Sequence, residues 1–163
     1  MGDIYDNATY QASRSLGALL SRVKAEWLAA LDRELAADKR LAGLEMSAAQ
    51  YIIVANLAGL EGAKSAADLC KVITYDAGAM TRMLDRLESK GLIRRSRSAH
   101  DRRLMNLELT EEGRAAYPRM REISMMVANR LLRGFTKSEA RLLEGFLLRM
   151  LENAHGVSTR ASA

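Results

Sequence analysis

The sequence predicts a mainly α fold with one small β-hairpin, and three observations carry that reading. Apolar residues recur at three- and four-residue spacing through most of the chain. Hydroxyl and carboxylate residues able to cap a helix stand in front of these stretches. After Gly91 the spacing changes from helical to extended for the length of a single hairpin.

From Ser13 to about Ala37, Leu16, Leu19, Leu20, Val23, Trp27, Leu31 and Leu35 fall on one helical stripe. Ser47 and Gln50 form a capping box for a second helix to about Leu57, ahead of Gly59 and Gly62, and Ser65 with Asp68 opens a short third one through Leu69, Val72 and Ile73. Asp76 caps a fourth, with Met80, Leu84 and Leu87 inward and Gly91 in the left-handed position after Lys90. The third and fourth helices, joined by a brief turn, make a helix-turn-helix. Leu92 to Arg97 and Leu104 to Leu109 are the expected strands, with Ser98 to Arg103 as their loop, so the hairpin stands behind the helix-turn-helix as a wing. Thr110, Glu111 and Glu112 start a fifth helix carrying Tyr117, Met120, Ile123, Val127 and Leu131, in which Pro118 predicts a bend or local break. Thr136 and Glu139 cap a sixth with Leu143, Phe146, Leu147, Met150 and Leu151, and the polar tail from His155 is expected to fray.

Composition narrows the function. With 163 residues, 48% of them hydrophobic and 28% charged, the chain suits a single domain, residues 1–163, with a real core. Its net charge of +5 favours a polyanionic partner. No stretch approaches a membrane span, and the acidic, polar start of the chain does not look like a signal peptide or lipid anchor, so a cytoplasmic location is expected. One cysteine, Cys70, excludes an internal disulfide, and with His100 and His155 far apart neither a metal site nor a cofactor is expected. There is no nucleophile-base pair and no phosphate loop, so the chain does not read as an enzyme.

The charges that remain fall in one place. On the fourth helix, Gly78, Thr81, Arg82 and Asp85 face away from the inner stripe. Arginine can bridge both acceptors of a guanine and threonine can meet a thymine methyl, while small residues at the helix start permit close approach. The bland alternative pairs Arg82 with Asp85 on a solvated face. Lys90, Arg94, Arg95, Arg97, Arg102 and Arg103 then surround the hairpin against one acid, Asp101. That clustering suits phosphate and minor-groove contacts with double-stranded DNA. The stripe of Leu16, Val23, Leu31, Leu143, Phe146 and Met150 at the two chain ends exceeds what a lone winged lobe needs, which implies packing against a second copy.

The stretch from Ser47 to Gly113, with SAAQYIIVANLAG, AMTRMLDRLESKGLIRR and DRRLMNLELTEEG in order, resembles the MarR family of bacterial transcription regulators. The resemblance implies a homodimer joined through residues 10–37 and 111–154, with residues 47–110 as a winged helix-turn-helix lobe. It implies a repressor on a palindromic operator, the recognition helix in the major groove and the wing in the minor groove. It assigns Arg103 as minor-groove probe and Asp101 as the residue that holds it. Many relatives are released by a small phenolic or aromatic acid, and the matching candidates here are Ser15, Arg22, Tyr51 and Arg121. An architectural or constitutive repressor of the same fold without an effector is the alternative. Family peroxide sensors carry their cysteine early in the first helix, where this chain has none, so Cys70 reads as a small core residue.

Overall fold

A computed structural model of the chain describes residues 3–59, 64–73, 76–97 and 105–160. The chain divides into two compact units, Met1–Val127 and Ala128–Ala163. In order, the elements are α1 (Leu16–Ala37), α2 (Ala48–Gly59), β1 (Lys64–Ser65), α3 (Ala66–Val72), α4 (Ala77–Ser89), β2 (Ile93–Arg97), β3 (Met105–Leu109), α5 (Glu111–Leu131) and α6 (Lys137–Arg160). Short 3-10 turns precede α1 at Ala12–Arg14 and α2 at Ala42–Leu44.

The caps form where the sequence places them, because each needs only neighbours three residues away. The Gln50 N–H donates to Ser47 Oγ and the Ser47 N–H to Gln50 Oε1, both at 3.2 Å. The same exchange joins Ser65 with Asp68 and Thr136 with Glu139. Asp32 of α1 adds a bond from further away, its carboxylate accepting from the Ala48 N–H at 2.6 Å. The first turn of α2 is thus held by α1 as well as by its own cap.

The core of the first unit gathers Leu31 and Leu35 of α1, Ile53 and Val54 of α2, Leu69 of α3, Met80, Leu84 and Leu87 of α4, and Met120, Ile123 and Val127 of α5. Leu31 is therefore core and not part of an outer stripe with Leu16 and Val23. The stripe of α1 divides along its length: Leu16, Leu19, Leu20 and Val23 are exposed, Trp27 is half-buried, and Ala30, Leu31 and Leu35 are inside.

The sheet has three strands in the order β1-β3-β2, all antiparallel. Strand β1 was not expected; two residues are too few to show a period, and Ser65 doubles as the cap of α3. Helix α5 runs unbroken past Pro118, so of the bend or local break expected there the break does not occur. Pro118 is on the exposed side, where water can satisfy the carbonyl that loses its donor, while Met120, Ile123 and Val127 hold the rest of the helix on the core. Helix α6 likewise continues to Arg160 beyond the expected fraying point. Its last turns contain no proline, and one internal glycine costs only about 1 kcal/mol.

Arg119 ties α5 to the end of α1. Its Nε and Nη2 donate to Asp38 Oδ2 at 2.9 and 2.6 Å, and Nη1 reaches Glu122 Oε2 at 2.8 Å. The hydrogen bonds from Arg119 hold the Asp38 carboxyl below the usual carboxylate range, against a smaller opposing effect of desolvation. A depressed folded-state pKa contributes stability above the unfolded value near 3.9, and that contribution is lost as pH falls through the folded value. Asp38→Asn is therefore expected to lower the melting temperature at neutral pH and to converge with the parent in acid, as pH falls through the folded value. Thermal melts across that range check this; a deficit equally large at both ends would show that charge is not the cause.

Candidate nucleic-acid interface

Helix α4 is built to show one face. Asp76 caps it, accepting from the Ala79 N–H at 2.8 Å, while Met80, Leu84 and Leu87 are buried and Gly78, Thr81, Arg82 and Asp85 are exposed. At the far end the Gly91 N–H donates to Glu88 O at 2.9 Å and the Leu92 N–H to Leu87 O at 3.0 Å. With Gly91 at φ 69°, this is a Schellman closure, which turns the chain directly into β2.

Each exposed residue of α4 has a definable capacity. The Thr81 hydroxyl donates to Ala77 O at 2.8 Å, so its one hydrogen is committed and its methyl is what it has to offer a partner. A Cβ at Gly78 would lie 3.2 Å from Asp76 Oδ1 and 3.4 Å from an Arg82 nitrogen, so the glycine keeps room for both. Arg82 makes no ion pair among the described residues. Asp85, its alternative partner, is taken by Arg95 instead.

The hairpin sorts its arginines by strand parity. Ile93 pairs with Leu109, Arg94 with Glu108, Arg95 with Leu107 and Arg97 with Met105. Directly opposed residues share a sheet face, so Arg95 lies on the buried side with Ile93, Leu107 and Leu109, and Arg94 lies on the outer side with Glu108. Arg94 Nη2 meets Glu108 Oε2 at 2.7 Å. Arg95 reaches α4, with Nη2 2.6 Å from Asp85 Oδ1 and Nη1 2.9 Å from Glu88 Oε2. Arg97 is exposed, with no ion pair among the described residues. Asp101, Arg102 and Arg103 lie outside the described residues, as does His100.

Lys90 also departs from the cationic cluster in which its position placed it. Its amine donates to Glu45 O at 2.8 Å and to Gln50 Oε1 at 3.0 Å, so it latches the end of α4 to the start of α2. Burial, foremost, pushes its pKa below the ordinary lysine value, with Arg86 adding to the shift and Glu45 opposing it. Another contact the sequence does not announce is at Gly113, where a Cβ would stand 2.1 Å from Leu92 O. Thr110 closes the same junction: its hydroxyl donates to Gly91 O, its N–H donates to Leu92 O at 3.1 Å, and its oxygen accepts from the Gly113 N–H at 3.0 Å.

The four candidate effector residues have different surroundings. Ser15 caps α1, accepting from the Ala18 N–H at 3.3 Å, and Tyr51 is core, 8% exposed. Arg22 and Arg121 are exposed on α1 and α5. An open groove of about 530 Å³ lies elsewhere, lined by Arg40, Leu41, Leu44, Ala116, Pro118 and Arg119 among others. Cys70 is half-buried against the core. Among the described residues no His, Cys, Asp and Glu group could hold a metal ion, and no helix is long and apolar enough to cross a membrane.

Comparison with known proteins adds what such a surface does elsewhere. The family model of the MarR family matches residues 46–105. The solved transcriptional regulator PA3341 is 32% identical, with a TM-score of 0.74 over 87% of this chain and 99% of that one. A Cys-to-Ser mutant of MarR from E. coli, solved in complex with operator DNA, is 29% identical, with a TM-score of 0.71 over 83% and 93%. Bordetella bronchiseptica BpsR, whose DNA binding is regulated by 6-hydroxynicotinic acid, is 26% identical, with a TM-score of 0.72 over 88% and 96%.

Proposed function

This chain belongs to the MarR family of transcription regulators, DNA-binding proteins and not enzymes, and we propose that it acts as a homodimeric repressor on a palindromic operator. The observation that carries this is the open face of α4, where Gly78, Thr81 and an Arg82 without an ion pair among the described residues stand on a helix fixed at both ends. In this reading Arg82 reads a base edge in the major groove, Thr81 contributes an apolar contact, and Arg97 meets phosphate beside the wing. Arg102 and Arg103 continue the wing, Arg103 entering the minor groove with Asp101 holding it. The DNA-bound MarR relative supports the class of partner. BpsR supports an effector that is a small aromatic acid, for which Arg22 and Arg121 are the available cations.

The test is selection from random duplexes, followed by affinity and salt dependence on the selected site. Arg82→Ala and Arg103→Ala should each cost about 1–3 kcal/mol, and Arg102→Ala should lower the salt slope by about 1. Failure to select any duplex would remove the DNA-binding reading, whereas selection with full affinity in Arg82→Ala would remove α4 as its reader. Titrating the bound complex with hydroxybenzoates and nicotinates tests the effector, whose coupling should weaken binding by about 5- to 150-fold.

A further inference from the structure

We propose that Arg95 is a positioning residue and not a DNA contact: it clamps the wing to the recognition helix by bridging Asp85 and Glu88. This rests on the reading of α4 and the hairpin as a DNA-binding lobe, and it changes the role of one cation in that lobe.

The geometry gives Arg95 no freedom to serve both purposes. Its guanidinium spans two carboxylates one helical turn apart, at 2.6 and 2.9 Å, and its backbone N–H donates to Glu88 Oε1 at 3.3 Å. Its side chain is only 26% exposed, against 63% for Arg94, and it stands opposite buried Leu107 on the inner face of the sheet. The aliphatic stem therefore lies on the apolar side while the head reaches α4. Along that face β2 reads Ile93 buried, Arg95 clamped and Arg97 exposed, and the opposing Met105 is exposed. Among the described residues Arg95 is thus the last side chain of β2 with an ion pair to α4, while the strand stays paired with β3 as far as Arg97. Two acids on a helix meant to approach phosphates would repel them; paired with Arg95 they fix the angle of the wing instead.

A planar fork and a point charge behave differently here, which supplies the test. A phosphate contact is served by lysine, but two separate carboxylates held by one rigid fork are not. On the selected operator Arg95→Ala and Arg95→Lys should both bind about tenfold more weakly, with the salt slope of the parent, within the usual coupling of residues in one ion-pair network. Lysine restoring affinity, or alanine lowering the slope by about 1, would make Arg95 a phosphate contact and overturn the proposal.

Hydrogen exchange provides a reading that needs no DNA. Amides of β2 and β3 should exchange faster in both variants while those of α5 keep the parent's rates; unchanged hairpin exchange overturns the clamp even if the DNA-binding reading stands. Should Arg95→Ala fail to fold, Asp85→Ala combined with Glu88→Ala removes the acceptors of the same bonds from α4. That variant should show the same hairpin exchange and bind operator more weakly, although it discards two negative charges. Tighter binding would mean that the acids act only through their charge.

Discussion

Replacing Leu143 and Phe146 of α6 together by glutamate is expected to leave a monomer that binds its operator about a hundredfold more weakly, or worse. Helix α6 contains no fully buried side chain among its described residues, yet Leu142, Leu143, Phe146, Leu148 and Leu151 are all exposed, Phe146 at 51%. An apolar face of this extent is unusual on a free surface and normal on an interface. A symmetric partner is the simplest cover, because the same face on a second copy is complementary to it. Two recognition helices bound to one palindrome gain from high effective concentration, which a monomer forfeits. Light scattering at micromolar concentration and anisotropy on the selected duplex measure both halves of the expectation. A persistent dimer would place the interface elsewhere, and a monomer of full affinity would mean that one lobe suffices.

Gly113→Ala should be the most destabilising small substitution in the lobe. The added carbon would stand 2.1 Å from Leu92 O, a backbone atom that cannot swing aside and that already accepts from the Thr110 N–H. The start of α5 must then move off the turn into β2, at a cost of about 1–3 kcal/mol or more. Gly156→Ala is the matched control: it is also helical, lies beyond the apolar face of α6 with nothing within 4 Å of the new carbon, and should gain up to about 1 kcal/mol. Denaturant unfolding of both variants gives the comparison, and equal midpoints would refute the close approach.

The difference between these glycines marks what could be read from the sequence. Caps and inner faces were legible because they depend on neighbours three or four residues away, as Ser47 with Gln50 or Met80 with Leu84 do. The Schellman turn at Gly91 belongs to the same class. Lys90 finds its acceptor at Glu45, a separation of 45 residues, and no local pattern marks it as a latch in place of a free cation. Arg95 is intermediate. Strand parity with Ile93 places it on the inner face, so its separation from Arg94 was available in principle, but a run of arginines reads first as charge. The expected break at Pro118 fails in the other direction, because a local penalty of a few kcal/mol yields to the packing of Met120, Ile123 and Val127 on the core.

The ion pairs of Arg95 also divide the outer face of α4 for anyone who wishes to change the sequence it prefers. Among the described residues Gly78, Thr81 and Arg82 have no ion pair with the wing and form a set that can be randomised with the Arg95 pairs left intact. Asp85 and Glu88 are shared with β2, so a library that varies them alters the frame together with the letters. Variants from such a library would differ in hairpin geometry as well as in base preference, and their specificities would not combine additively. Confining diversity to the first two turns of α4, with the acids and Arg95 held constant, keeps the two properties separate.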